Sequence, residues 1–264
     1  MTVYLDGLGV LGPGLAGWSR AATALAEPAS FALAPLNIPA PDCLPSAERR
    51  RVGTLVKIAL AVGREAVANS GQDVRALANV FSSSAGDGDN CHAICEALAG
   101  SDRLISPTRF HNSVHNAAAG YWGIAMQCMA ASTSLCAHDG SFAAGLLETA
   151  VQSLAQQSAT LLVASDAPYP EPLHSVRPIS AGFGVAMVIN ARPSEKSLAR
   201  LSLSLTQGKP STISHALLEQ ARLGSPAARA LPLLLHLAQP RSQTITVHLD
   251  YLGTSCLTLQ LSPV

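Results

Sequence analysis

The stretch Ser132-Thr133-Ser134-Leu135-Cys136-Ala137-His138-Asp139-Gly140-Ser141-Phe142-Ala143-Ala144-Gly145 sets the tightest limit on how this chain folds. It reads as a strand end, a sharp turn and a helix start, with Ser134 as a turn residue and Ser141 as a helix cap. A second segment, Ala159-Thr160-Leu161-Leu162-Val163-Ala164-Ser165-Asp166, is an apolar run with a polar end. Such a run fits a strand buried on both faces of a layered α/β protein. Hydrophobic residues make up 48% of the 264 and charged residues 13%. That supplies one compact core or two closely fused subdomains. So little charge beside so much Ala and Leu also implies that a partner covers some apolar surface.

The remaining elements follow from pattern and punctuation. Val3 to Val10 alternates as a strand and turns at Gly12-Pro13-Gly14. No Lys-Ser/Thr pair follows those glycines and their spacing misses the dinucleotide fingerprint, so they read as a tight turn. A helix is expected over Leu15 to Ala26, then an irregular Pro- and Ala-rich connector over 28–45. Ser46 opens a helix running to Asn69, with Leu55, Ile58, Ala59, Val62 and Ala66 as its apolar stripe. Leu77 to Ser84 reads as a buried strand, Asn90 to Leu98 as a helix, Ser106 to Asn116 as a loop and Ala117 to Ala125 as a helix of small residues. The helix after the sharp turn extends to Gln157. Pro168 to Pro178 is a proline-broken loop, and Ser180 to Ile189 a glycine-rich turn entering a strand. The tail reads strand (Ala199 to Leu205), helix (Pro226 to Ala238), strand (Thr244 to Asp250), strand (Ser255 to Leu261). Residues 1–194 form the main domain, and 195–264 a short strand-helix-strand-strand extension of the same sheet.

Several function classes are excluded. Lys plus Arg and Asp plus Glu both number 17, so the formal charge is zero, against the basic patch of a nucleic-acid binder. No apolar run is long enough to span a membrane. The start Met1-Thr2-Val3-Tyr4-Leu5-Asp6 has neither the basic nor the apolar region of a secretory signal, so a cytoplasmic location is expected. Six scattered cysteines (43, 91, 95, 128, 136 and 256) read as reduced thiols.

Three clusters could carry chemistry. Cys91-His92-Ala93-Ile94-Cys95 has no second Cys/His pair at a suitable spacing, so it reads as two small residues one helical turn apart. His111 and His115 have no evident third ligand and read as hydrogen-bonding loop residues. No metal site is expected. Cys136, His138 and Asp139 are sequence neighbours, which rarely aim at one another, whereas working triads are assembled across a fold. Arg49, Arg50 and Arg51 read either as an ion-paired helix start or as a docking surface for a phosphopantetheine carrier.

Five segments, in order, resemble the N-terminal half of a β-ketoacyl synthase. They are Gly7-Leu8-Gly9-Val10 with its glycine turn, the Arg50-to-Ala66 helix, Asn116-Ala117-Ala118-Ala119-Gly120, the turn at 132–145 as a nucleophile elbow, and Gly182-Phe183-Gly184-Val185-Ala186. The match spans about residues 3–190. It implies a thiolase-like fold: mainly the N-terminal half, layered α/β/α, with a shortened C-terminal α+β part. Counting back from Phe142-Ala143-Ala144-Gly145, the family's cysteine falls on Ala137, with Cys136 one residue early. Ala186-Met187 stands where the family has Gly-Glu-Gly. Residues 195–264 hold neither family histidine motif, and His215, His236 and His248 read as ordinary helix or strand residues. That chemistry needs a thiolate for the acyl chain and two histidines for the thioester oxygen and the enolate. Losing one member of such a unit removes most of the rate.

The resemblance therefore implies a protein that is not an enzyme by itself, with no catalytic residue and no cofactor. It is similar to the chain length factors that pair with an active β-ketoacyl-ACP synthase, and more closely to the short ones of aryl polyene and xanthomonadin-type pigment pathways. The implied partners are a full-length synthase and, through it, an acyl carrier protein whose phosphopantetheine arm reaches the synthase subunit. The residues implied to line the acyl tunnel or interface are Phe110, His111, Val114, His115, Ala118, Tyr121 and Trp122. Two other readings stay open: a Cys136-dependent acyltransferase or thioesterase, and a purely structural scaffold.

Overall fold

The structure, a computed structural model, describes residues 1–240 and 242–264. The chain runs β1 (Thr2–Gly12), β2 (Leu15–Ala16), α1 (Trp18–Ala26), α2 (Ser46–Arg49), α3 (Thr54–Ser70), β3 (Ala78–Ser82), α4 (Gly88–Ala99), α5 (Pro107–His111) and α6 (Ala117–Met126). It continues β4 (Ser132–Leu135), α7 (Ser141–Gln156), β5 (Thr160–Asp166), α8 (Leu173–Val176) and β6 (Phe183–Asn190). The tail holds β7 (Ala199–Gln207), α9 (Ala216–Gly224), α10 (Leu231–Ala238), β8 (Ile245–Asp250) and β9 (Ser255–Ser262). The strands form one sheet in the order β4-β3-β5-β6-β1-β7-β9-β8, with β2 beside β1. β4, β3 and β5 are parallel; every other pairing is antiparallel.

Two cores flank this sheet. Val3, Leu5, Leu8 and Val10 of β1 pack with α1, α7 and α10 on one face. On the other, Leu161, Val163, Ala186 and Val188 meet α3 and α6. The inward residues of β1 change parity between Leu5 and Leu8, and a register shift between Leu5 and Gly7 accounts for it. At the shift the buried Asp6 carboxylate accepts from Asn190 Nδ2 (3.0 Å) and Ser197 Oγ (2.7 Å), tying β1 to the segment that enters β7. On the α3 face β1 presents Gly7 and Gly9. A Cβ on either would run into the Ala66 or Val62 carbonyl, so backbone rests on backbone there.

Several expectations need correction: Leu15–Ala16 form β2 and the helix expected from Leu15 starts at Trp18, the loop at 168–178 contains α8, and Ser134, expected in the turn, lies in β4. The helix expected from Ser46 to Asn69 is broken after Arg49 and restarts at Thr54. Arg49 spends its guanidinium on the carbonyls of Leu44 (2.7 Å) and Asp42 (2.9 Å), and Asn112 Nδ2 donates to the Arg51 carbonyl (2.8 Å), an oxygen a continuous helix would have used. The loop at 106–116 contains the short helix α5. The tail carries a helix, α9, that the pattern reading left out, and the helix expected from Pro226 opens as a 3₁₀ turn over Ala227–Ala230 before α10.

The sheet does not stop at residue 194. β1 pairs with β6 along one edge and with β7 along the other. Leu201, Leu203, Val247, Leu249, Leu257, Leu259 and Leu261 of the tail strands all enter the first core. Although β4 and β8 are the ends of the strand order, the Gly140 backbone after β4 rests on the Tyr251 backbone after β8. The two ends of the strand order therefore approach one another at the sharp turn.

Candidate functional site

The turn between β4 and α7 is an elbow. Cys136 is exposed, Ala137 has φ −148° and ψ 42°, and His138 sits in the left-handed region at φ +51°, uncommon for a residue with a side chain. The local hydrogen bonds explain how the strain is held. Ala137 N–H donates to Ser141 Oγ (3.0 Å), and that hydroxyl donates to the His138 carbonyl (2.7 Å). Ser82 Oγ donates to the Ser141 carbonyl from the end of β3. Gly140 is required because a Cβ there would lie 2.6 Å from the Tyr251 carbonyl oxygen.

A chain of ion pairs runs from the elbow into the tail. Asp139 pairs with Arg177 (3.0 Å) and Arg229 (3.8 Å), Arg229 with Asp250 (3.3 Å), Asp250 with Arg222 (3.0 Å), and Arg222 with Glu219 (2.7 Å). The hydrogen bond from Arg222 holds the Glu219 carboxyl below its usual range. The His138 ring lies against the Arg177 guanidinium. At the same end of the sheet Asp166 closes β5. Burial pushes its carboxyl up to about 6, although Ser84, Ala227 and Ser83 all donate to it.

An elbow of this shape can present a nucleophile; in this turn Cys136 is exposed and the neighbouring Ala137 carries only a methyl group. The Ala137 N–H is engaged by Ser141 Oγ and so is not free to serve a developing oxyanion. The tail histidines have other neighbours. His248 Nδ1 is 2.8 Å from Thr258 Oγ1, and His215 meets the Phe31 ring edge-on at 6.0 Å. Cys91 and Cys95 are exposed on α4, where His92 pairs with Glu96 at 3.3 Å. Arg51 pairs with Glu48 (3.0 Å) and Arg49 caps backbone carbonyls, so two of the three arginines at α2 are engaged within their own segment.

The seven residues of the implied tunnel or interface divide into two groups. Phe110, His111, Val114 and His115 are on the surface, Phe110 with 68% of its area exposed. Ala118, Tyr121 and Trp122 face inward. Trp122 packs on Phe81 (6.2 Å between rings) and over Gly63, whose lack of a side chain makes room for its ring. Tyr121 donates its hydroxyl to Asn112 Oδ1 (2.9 Å), with the His111 ring edge-on at 6.4 Å. Between α5 and α6 lies a mainly apolar groove of about 480 Å³, lined by Pro107, Phe110, His111, Val114, Gly120, Tyr121 and Ile124 among others. Gly120 and Ile124 were missed by the sequence reading, though their spacing of four from each other places them on one helical face. Met129 is 93% exposed before β4, an edge strand paired only to β3 among the described residues.

Comparison with known proteins agrees with this architecture. The family model for the β-ketoacyl synthase N-terminal domain matches residues 18–248. A chain in the structure of the ketosynthase ApeO in complex with its chain length factor ApeC, from Xenorhabdus doucetiae, is 21% identical. It superposes with a TM-score of 0.74 over 100% of both chains. The ishigamide ketosynthase/chain length factor gives 13% identity and 0.75, again over 100% of both. A β-ketoacyl synthase from Burkholderia phymatum STM815 gives 12% and 0.69 over 99% of both. A comparison with curated proteins finds no match. Among the described residues no helix is long and apolar enough to cross a membrane. The layered sheet with its elbow is the thiolase-like fold, and the chain belongs to the β-ketoacyl synthase N-terminal domain family.

Proposed function

We propose that this chain is a non-catalytic partner subunit, a chain length factor that pairs with an active β-ketoacyl-ACP synthase in the cytoplasm. Its role is to shape the tunnel for the growing acyl or polyene chain in aryl polyene-type pigment biosynthesis. The observation that carries the reading is the elbow: Ala137, at the position the sequence count assigns to the family's cysteine, carries only a methyl group, and its N–H donates to Ser141 Oγ. A condensing enzyme needs a thiolate and free donors at that point. The apolar groove between α5 and α6, with Phe110, Val114 and Ile124 exposed along it, supports a partner on that face, since apolar surface of this kind marks interaction sites. The synthase subunit supplies the cysteine and receives the phosphopantetheine arm of the carrier protein, so this chain itself holds no cofactor.

The test is to tag the chain in its native host, purify it gently and measure the native mass of what accompanies it. An equimolar full-length synthase is the expected result, with product length changing when Phe110 is altered. A stable lone monomer would overturn the reading. Acylation of the purified chain, lost in Cys136→Ala, would replace it with an acyltransferase or thioesterase.

A further inference from the structure

We propose that residues 91–111, which carry α5 and with it one wall of the α5–α6 groove, form a strap that opens locally in the free chain and closes when the synthase subunit seats in the groove. The inference rests on the partner-subunit reading. Every residue from Cys91 to His111 is exposed or half-buried. Among the described residues neither core draws a side chain from this stretch, although it contains Ile94, Leu98, Leu104, Ile105 and Phe110. Leu98, Leu104 and Phe110 are exposed. The opposite wall is built differently, because α6 buries Ala118, Tyr121 and Trp122 in the second core. A segment with few buried apolar contacts opens at a free energy below that of the whole fold. The helix within it does not change this, since α4 has 12 residues and a helix of that length is marginal in water without a packed apolar face.

Two buried asparagines hold the strap at its ends. Asn90 Nδ2 donates to the Arg109 carbonyl (2.8 Å), closing the start of the strap on its end. Asn112 Nδ2 donates to the Arg51 carbonyl (2.8 Å), and its Oδ1 accepts from Tyr121 on α6 (2.9 Å). The chain before the strap is also fixed. Asp87 caps α4 by accepting from the Asn90 N–H (3.0 Å), and a Cβ on Gly88 would lie 2.8 Å from Tyr169 Cδ1. The strap thus has fixed ends and a free middle, with the Asn90–Arg109 bond as its latch. Pro107, Phe110 and His111 line the groove, so moving the strap widens or narrows it. An apolar partner surface there covers Phe110 and supplies the burial that the free strap lacks, which is how binding orders a loosely held segment.

The test is amide hydrogen exchange read by mass spectrometry, on the full chain alone and in its complex with the synthase. In the free chain, peptides from 91–111 should exchange at least about 100-fold faster than those of α3 and α7, since local opening can be nearly free while core helices open only with the whole fold. Asn90→Ala should speed the strap by a further roughly two- to tenfold, the worth of one neutral hydrogen bond, and leave α3 and α7 unchanged. Synthase binding should slow the strap about tenfold or more. A complex in which the strap exchanges as fast as before overturns the strap and leaves the partner reading standing; no complex at all overturns the partner reading as well. Free-chain exchange as slow as in α3 and α7, or a strap no faster in Asn90→Ala than in the unaltered chain, also overturns the proposal. If Asn90→Ala does not fold, the unaltered chain, free and bound, decides it alone.

Discussion

At the scale of the residue, two side chains separate what the elbow end of the sheet has kept from what it lacks. Asp166 is kept as a buried carboxyl, pushed up to about 6 chiefly by burial. Below about pH 4 it is protonated in folded and unfolded chains alike. Between about pH 4 and 6 the folded chain holds a proton that the unfolded chain has released, so stability falls as pH rises and levels off above the folded value. The full loss is roughly 3 kcal/mol. Asp166→Asn should flatten this slope, and urea midpoints measured from pH 4 to 8 check it; a slope unchanged in the variant would show that another group is responsible. On the proposed reading, Ala137 stands where a condensing enzyme carries its thiol. Ala137→Cys puts a thiol at the tip but returns neither a histidine pair nor the N–H bonded to Ser141. The variant should gain labelling by iodoacetamide at the new cysteine and no condensation of malonyl with acyl thioesters. Turnover above background would mean the elbow had lost only its nucleophile.

At the scale of the element, the glycines of β1 and α6 have opposite meanings. Gly9→Ala forces a methyl into the Val62 carbonyl of α3 and should cost about 1–3 kcal/mol or more, because a rigid backbone cannot give way as a side chain can. Gly120 has nothing within 4 Å of where its Cβ would be. Gly120→Ala should therefore stabilise the helix by about 0.5–1 kcal/mol, and paired denaturation curves read both signs. The same contrast explains what could be read in the sequence. β3, β5 and β6 were legible because a strand buried on both faces is an unbroken apolar run. The elbow was legible because its turn and helix residues are contiguous. The break between α2 and α3 was not, because the group that takes the Arg51 carbonyl is Asn112, 61 positions away. α9 was missed because it buries only Leu218 and Arg222, and the second is an inward residue only by virtue of Glu219 and Asp250. On α6, the aromatic residues Tyr121 and Trp122 drew attention by size, though Trp122 faces away from the groove, whereas the open positions belong to Gly120 and Ile124, the glycine having no side chain to be noticed.

At the scale of the whole molecule, the tail completes a structure that the first 194 residues leave open. β7 covers the β1 edge, and the leucines of β7 and β9 fill the same core that α1 and α7 enter from the other strands. The ion-pair chain from Asp139 to Glu219 and the backbone meeting of Gly140 with Tyr251 then fasten the last strands to the elbow. The opposite face of the tail strands carries hydroxyl pairs, Thr206 with Thr258 (2.6 Å) and Thr244 with Ser262 (2.8 Å), and has no apolar stripe with which to build a second core. This sheet half buries one face only, in a core shared by α1 and α7 of the first part and by its own α10, so its burial depends on both parts. The two parts are therefore expected to fold as one unit. A fragment of residues 1–194 should lack a cooperative thermal transition and show collapsed amide dispersion in NMR, because removing the tail strips β1 of a partner strand and uncovers the inner faces of α1 and α7. The full chain should melt in a single step. Dispersed amides and a sharp transition in the fragment would show instead that the first sheet half stands alone and that the tail was added to a finished domain.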